Sequence, residues 1–124
     1  MPKRFPPKIL NALDKEKIMG LRAGRKPHRF IGIWMVVVEG RVFVRSYFQK
    51  QRSWYRAFLE DPHGKIQVAR RSIPVHAIHT RSERLKKAVD RAYLQKHNTP
   101  GSLKFSRGFS NGKRRNTTME LVPW

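Results

Sequence analysis

Apolar residues recur along this 124-residue chain with two different periods, and the switches between them mark the elements. Residues 1–7 carry three prolines and read as a loose arm. Ile9, Leu10 and Leu13 then have helical spacing within residues 7–17. IMGLRAG, residues 18–24, reads as a strand, and GRKPHR, residues 24–29, as a cationic loop marked by glycine and proline. The clearest signal is RFIGIWMVVVE, residues 29–39. Ile31, Ile33, Met35 and Val37 fall on one side of it, and Trp34, Val36 and Val38 on the other. A strand apolar on both faces is covered on both faces.

Glu39-Gly40 gives a two-residue hairpin signal, and RVFVRSYF, residues 41–48, returns as the next strand. Residues 51–61 change period. Trp54, Ala57 and Phe58 share a helical face there, and Pro62 stops the helix because the residue before a proline avoids the α region. GKIQVAR and SIPVHAI predict a second hairpin, with Pro74 implying an edge or a bulge. Thr80-Arg81-Ser82-Glu83 fits a capping box. The stripe Leu85, Ala88, Val89, Ala92, Tyr93 follows it and ends at Asn98, Pro100 and Gly101. Residues 104–115 read as a flexible basic loop, and residues 116–124 as a last strand. These elements predict one domain over residues 1–124. It is mainly β with helices (α+β), with about six strands in a small antiparallel barrel.

Composition changes this picture in two ways. There is no cysteine, which excludes disulfides and thiolate metal sites and points to a reducing compartment. Residues 31–38, the longest apolar run, fall short of the ~20 needed to span a bilayer, and the first ten residues lack the apolar core of a secretory signal. The chain therefore reads as soluble and cytoplasmic. Against that ordinary background, 28 Lys and Arg face eight Asp and Glu, a formal net charge of +20. Such a field attracts polyanions. The cations are spread along the whole chain, so proteome-wide bias and nucleic-acid binding both account for the count.

The catalytic inventory is thin. GxSxG, HExxH, Walker and GxGxxG motifs are all missing. His76 and His79 lie three apart on a predicted strand and point to opposite faces, so they read as surface or structural histidines and no metal is assigned. Glu60-Asp61 falls at a helix end, and Asp90 lies among the cations of its own helix. What remains is an anion-binding constellation. Arg45 presents a planar fork suited to phosphate, Ser46 adds a hydroxyl, and Lys50, Arg52 and Arg56 follow. A helix starting near Arg52 would add its free amides. Trp54 and Tyr55 serve either as core anchors or as a wall for an aromatic ring.

The run from Pro27 to Val68 resembles the core of the FMN-binding split β-barrel superfamily. In that pattern an apolar strand, a hairpin, a strand ending in Arg-Ser, a basic stretch and a helix closing in Asp-Pro follow one another. IWMVVVEGRVFVRSY, SWYRAF, VDRAYLQKH and TTMELVPW, in that order, resemble a bacterial family, the domain of unknown function 2255. The resemblance covers nearly the whole chain from about residue 9. It implies a small antiparallel split β-barrel and a homodimer with two flavin sites at the subunit interface. It also implies a phosphate held by Arg45, Ser46 and Lys50 with Arg56, and a ring bordered by Trp34 or Trp54. Related deazaflavin-dependent reductases carry a GRKSG loop near the phosphate; here Gly24, Arg25 and Lys26 match it and Pro27 stands in place of serine. The expectation is therefore an FMN or deazaflavin protein, a flavin-dependent oxidoreductase if it is an enzyme. A nucleic-acid-binding basic barrel and a cofactor-free structural or regulatory barrel are the alternatives.

Overall fold

The computed structural model of the protein describes residues 4–24, 29–47, 53–110 and 112–123. Its strands are β1 (Ile18–Ala23), β2 (Ile31–Val38), β3 (Arg41–Val44), β4 (His63–Val68), β5 (Arg71–His79) and β6 (Met119–Pro123). All pairings are antiparallel, and the order β1-β2-β3-β6-β5-β4 closes into a barrel through the β1–β4 pair. Closure leaves no strand edge running the length of the sheet. The helices are α1 (Pro7–Lys15), α2 (Trp54–Glu60), α3 (Glu83–Lys96), α4 (Pro100–Phe109) and α5 (Gly112–Arg115). Among the described residues no helix is long and apolar enough to cross a membrane.

Period-2 alternation fills the barrel. Met19, Leu21, Met35, Val42, Val44, Ile66, Val75 and Leu121 point inward and are fully buried. Phe5, Ile9, Leu13 and Phe58 extend the same core. The opposite face of β2 and β3 is apolar too. Val36 and Phe43 pack there against Leu85, Val89 and Tyr93 of α3 and Phe109 of α4, making a second, smaller core. This double covering is what the two apolar faces of residues 31–38 require.

Both tight hairpins turn through left-handed residues. Glu39 and Gly40 have φ of 55° and 71°, and Ala69 and Arg70 have φ of 50° and 62°. Positive φ at both central residues gives the twist that matches a two-residue hairpin. The second hairpin achieves it without a glycine. Pro74 lies opposite Lys65 of β4, while β6 pairs with β5 only from Val75 onward, so its missing N–H interrupts no ladder on the β6 side.

Four expectations need correction. The arm is not loose over its described part, because Phe5 is buried in the core and Arg4 donates to the Glu39 carbonyl at 3.1 Å. The expected flexible loop over residues 104–115 is helical over 104–109 and 112–115: Thr99 caps α4 by accepting from the Ser102 N–H, and α5 spans Gly112–Arg115. The cap of α3 is Ser82, which accepts from the Leu85 N–H, rather than Thr80. The second strand of the first hairpin stops at Val44, before the Arg-Ser pair that was to be its end.

Candidate functional site

The early end of β3 creates the site. β2 and β3 pair from Val38↔Arg41 to Met35↔Val44. One more step would set Trp34 against Arg45, and there the ladder is replaced. The Arg45 N–H donates to the Tyr93 hydroxyl at 3.1 Å, and that hydroxyl donates to the Trp34 carbonyl at 3.3 Å. A phenol from α3 thus occupies the place of a strand-to-strand bond. Tyr93 is fully buried, and burial pushes its pKa above the ordinary phenol value, so the group stays neutral and both donates and accepts.

Beyond this point residues 45 and 46 follow β6 and leave β2. Arg45 Nε donates to Thr118 Oγ1 at 2.8 Å, and the Ser46 N–H donates to Thr117 Oγ1 at 2.8 Å. The Arg45 guanidinium runs inward. Its Nη1 donates to Asp90 Oδ1 at 2.5 Å and to the Phe109 carbonyl at 3.0 Å, and Nη2 donates to the Lys86 carbonyl at 2.9 Å. Asp90 also accepts from Arg115 Nε at 3.0 Å, and Arg115 pairs with Glu83 at 2.9 Å. Burial pulls the Arg45 pKa below the usual arginine value, and the hydrogen bond and charge of Asp90 oppose that shift. One buried fork therefore ties β3, β6, α3 and α4 together.

A cavity of about 540 Å³ lies in the resulting split. Residues 31–34 of β2 line one side, residues 45–47 with Ser53 and Trp54 another, and Phe105 and Phe109 of α4 a third. Its aromatic walls are braced from behind. The Trp34 ring stacks on His97 with centroids 4.3 Å apart and 1° between planes. His97 is buried, burial lowers its pKa to about 4, and its Nε2 lies 3.4 Å from the Met35 carbonyl. Tyr47 stands edge-on to Phe105 and Phe109, at 5.1 and 5.4 Å. The Arg114 guanidinium covers the Tyr47 ring at 3.8 Å and donates from Nε to the Tyr47 carbonyl at 2.9 Å. Gly108 is required for this packing, since a Cβ there would stand 2.8 Å from Tyr47 Cε2.

The cavity gathers some of the expected residues and not others. Ser46, Trp34 and Trp54 line it. Trp54 also packs on the barrel core, as the core-anchor reading has it, while one side of it borders the cavity. Arg45 lines it too, but its role as a phosphate fork is corrected. The side chain has no exposed surface, and four of its five N–H groups are committed to protein acceptors. Arg56 is exposed on α2. That helix has seven residues and begins at Trp54, and its cap Ser53 accepts from the Arg56 N–H at 3.3 Å. Arg25, Lys26, Lys50 and Arg52 lie outside the described residues. Tyr47, Tyr93, Phe105 and Phe109 were not foreseen as site residues. Phe105 and Phe109 are four apart after a Thr-Pro helix start, a pattern that carried the signal.

Elsewhere, His76 stacks on His63 at 5.1 Å, and His63 Nδ1 lies 2.8 Å from Asp61. Among the described residues no group of three or more His, Cys, Asp or Glu side chains is arranged to hold a metal.

Comparison with known proteins agrees with this architecture. The sequence pattern of the family described as "Uncharacterized protein conserved in bacteria (DUF2255)" matches residues 8–121. No curated protein matches the chain. Several solved structures share the fold. A Listeria innocua protein provisionally named a pyridoxamine 5′-phosphate oxidase has a TM-score of 0.60 at 13% identity, over 94% of this chain and 90% of that one. Conserved hypothetical protein Rv2991 of Mycobacterium tuberculosis gives 0.59 at 12% identity, over 97% and 79%. A FAD-binding protein of Mesorhizobium loti gives 0.53 at 12% identity, over 94% and 86%. At these identities the likeness shows the split-barrel fold alone.

Proposed function

The chain belongs to the bacterial family DUF2255, and from that membership and its split we propose that it binds a phosphorylated flavin, FMN or a deazaflavin, in the cavity between β2 and residues 45–54. The observation that carries this reading is the cavity itself. Its volume lies within the ~300–1,000 Å³ range of cofactor pockets. Five aromatic residues, Trp34, Tyr47, Trp54, Phe105 and Phe109, line it together with two hydroxyls, Ser46 and Ser53. That is the wall chemistry a tricyclic ring with one polar rim needs. The hydroxyls belong to the wall formed by residues 45–54, and the phosphate is assigned to that side of the cavity.

The described lining holds no carboxylate, imidazole or lysine. The protein's part is then binding, orientation and exclusion of water, and the electron chemistry of an oxidoreductase would come from the flavin. A homodimer, as the family resemblance implies, is part of this proposal, and light scattering checks it. The test of the function is an FMN titration of the purified protein, followed by visible absorption and by quenching of flavin fluorescence. Saturable binding near one flavin per chain is expected. Phe105→Ala, which removes an exposed wall residue, should weaken it about tenfold, a loss of ~1.4 kcal/mol. The absence of any spectral change would overturn the proposal.

One further observation favours a second reading. Among the described residues the acids Glu39, Glu83, Asp90 and Glu120 are paired with arginines, while Lys65, Arg70 and Arg71 are exposed around the β4–β5 hairpin. Polyanion binding would follow, with retention of RNA or DNA at low salt that falls steeply as salt rises.

A further inference from the structure

The cavity has a polar feature on its strand wall that belongs to no side chain. Successive residues of an antiparallel strand send their N–H and C=O groups to alternate sides. On β2, the Trp34 carbonyl faces the β3 side, where it accepts from the Tyr93 hydroxyl. The Met35 carbonyl faces the other way and accepts from Lys96 Nζ at 3.0 Å, a group that also donates to the Leu13 carbonyl of α1. Ile33 and Ile31 follow Met35 and turn toward β1, opposite Met19 and Leu21. Gly32 follows Trp34. Its N–H and C=O therefore both point to the side that β3 has left, which is the side of the cavity that Gly32 lines.

The N–H and C=O of one extended residue point the same way and lie side by side. They offer a donor next to an acceptor, framed by Trp34, Trp54 and Phe105. We infer that the Gly32 peptide groups recognise the donor–acceptor edge of a planar heterocycle, the imide edge of a flavin or deazaflavin pyrimidine ring, and that the Tyr93 hydroxyl is the positioning group that holds this edge open. The inference rests on the flavin reading and specifies how that ring is held. The Gly32 N–H donates to a ring carbonyl, and the Gly32 carbonyl accepts from the neighbouring ring N–H. A site built to pair both groups rejects an analogue that lacks one, because the protein's own group, exposed before binding, is then left unpaired beneath the bound ring. Tyr93 acts at a distance from the ring. By bonding both Arg45 N–H and Trp34 C=O it stops β3 from zipping onward along β2.

The experiment compares FMN with 3-methyl-FMN, which keeps the phosphate and the tricyclic ring but replaces the imide N–H by a methyl group. The intact protein should bind 3-methyl-FMN at least tenfold more weakly. The Gly32 amide resonance should shift on addition of FMN and much less on addition of the methylated analogue. Equal affinity for the two overturns this inference and leaves the flavin reading standing; failure to bind FMN at all overturns both. Tyr93→Phe should reduce FMN affinity and also shrink the ratio between the two ligands. A purely structural role would lower both affinities and leave the ratio unchanged. Where Tyr93→Phe does not fold, the analogue comparison on the unaltered protein still decides the matter.

Discussion

The two halves of β2 have the same extended backbone and carry no polar side chain, yet one is zipped and the other is open. Met35 to Val38 pair with β3 on one side, with Val36 packed beneath α3. Ile31 to Trp34 keep their partner β1 and border a cavity where β3 would continue. Nothing in the apolar run itself marks the boundary. It is drawn by polar side chains outside that run: a buried phenol that takes the place of a ladder bond, and the Thr118 and Thr117 hydroxyls, which accept from the Arg45 guanidinium and the Ser46 N–H and hold residues 45 and 46 along the line of β6. A net ladder bond is worth only about 0.5–1.5 kcal/mol, so a few well-made polar contacts are enough to redirect a strand.

If the Arg45 fork pulls the strands apart, removing it should be the most damaging change. Arg45→Ala leaves Asp90 with Arg115 as its one remaining arginine among the described residues and takes the donor from the carbonyls of Lys86 and Phe109. Breaking a buried pair in this way costs about 3–5 kcal/mol. Urea denaturation should show a loss of that order. A variant that keeps its stability and loses only flavin affinity would instead make Arg45 a phosphate ligand and undo the contrast between the two halves.

Acid should loosen the open half next. His97 backs Trp34, and burial holds its pKa at about 4 against an ordinary 6.5. The unfolded chain therefore binds a proton that the folded chain refuses. The contribution of His97 is complete above pH 6.5, declines as pH falls, and is gone by about pH 4; linkage caps the loss at about 3 kcal/mol. Trp34 emission should report it, because an imidazolium stacked on indole quenches. A stability profile equally steep in His97→Gln would assign the acid sensitivity to other groups.

On the closed side of the barrel, sterics set the third test. A Cβ at Gly64 would lie 2.5 Å from the Arg22 carbonyl oxygen and 2.9 Å from Phe58 Cε1. Backbone cannot give way cheaply where β1 and β4 close the barrel. Gly64→Ala should cost about 1–3 kcal/mol, the usual range for overpacking, measured as a fall in the urea midpoint. An unchanged midpoint would mean that the β1–β4 seam yields, and that the barrel is split in two places.

Much of this was readable from the chain. Strands announce themselves through local period-2 patterning, and α3 through its stripe of Leu85, Val89 and Tyr93, so the barrel and its main helix emerged from residues that act near their own place in sequence. The boundary at Val44 did not, because it depends on Tyr93, which lies 48 residues beyond Arg45 and reads in the sequence as one more apolar stripe position. Arg45 was singled out for the right property, a planar multi-donor fork, and given the wrong partner: protein carbonyls and Asp90 claim it before any phosphate. α4 was missed because its basic residues, among them Lys104 and Arg107, drown the Phe105–Phe109 spacing. The second hairpin was legible from its two strands, but its turn at Ala69-Arg70 was not, since residues other than the usual glycine or asparagine adopt its left-handed angles.

The smallest effect sharpens the comparison most. A Cβ added at Gly32 would meet only Ile18 Cγ2, at 2.9 Å, on the outer surface of the barrel. Ile18 is 56% exposed, so its side chain turns aside at little cost. Ala also gives up less backbone freedom than glycine on folding, and the two terms nearly cancel: Gly32→Ala should change stability by no more than about 0.5 kcal/mol. Cβ would leave on the face that carries the Trp34 side chain while the N–H and C=O point into the split, so the variant should keep both peptide hydrogen bonds and with them its discrimination against 3-methyl-FMN. That result would assign the discrimination to the backbone of Gly32 and not to its missing side chain. A variant that folds as well as the parent but no longer discriminates between the two flavins would show that the open half of β2 needs a glycine, and not merely an unzipped edge.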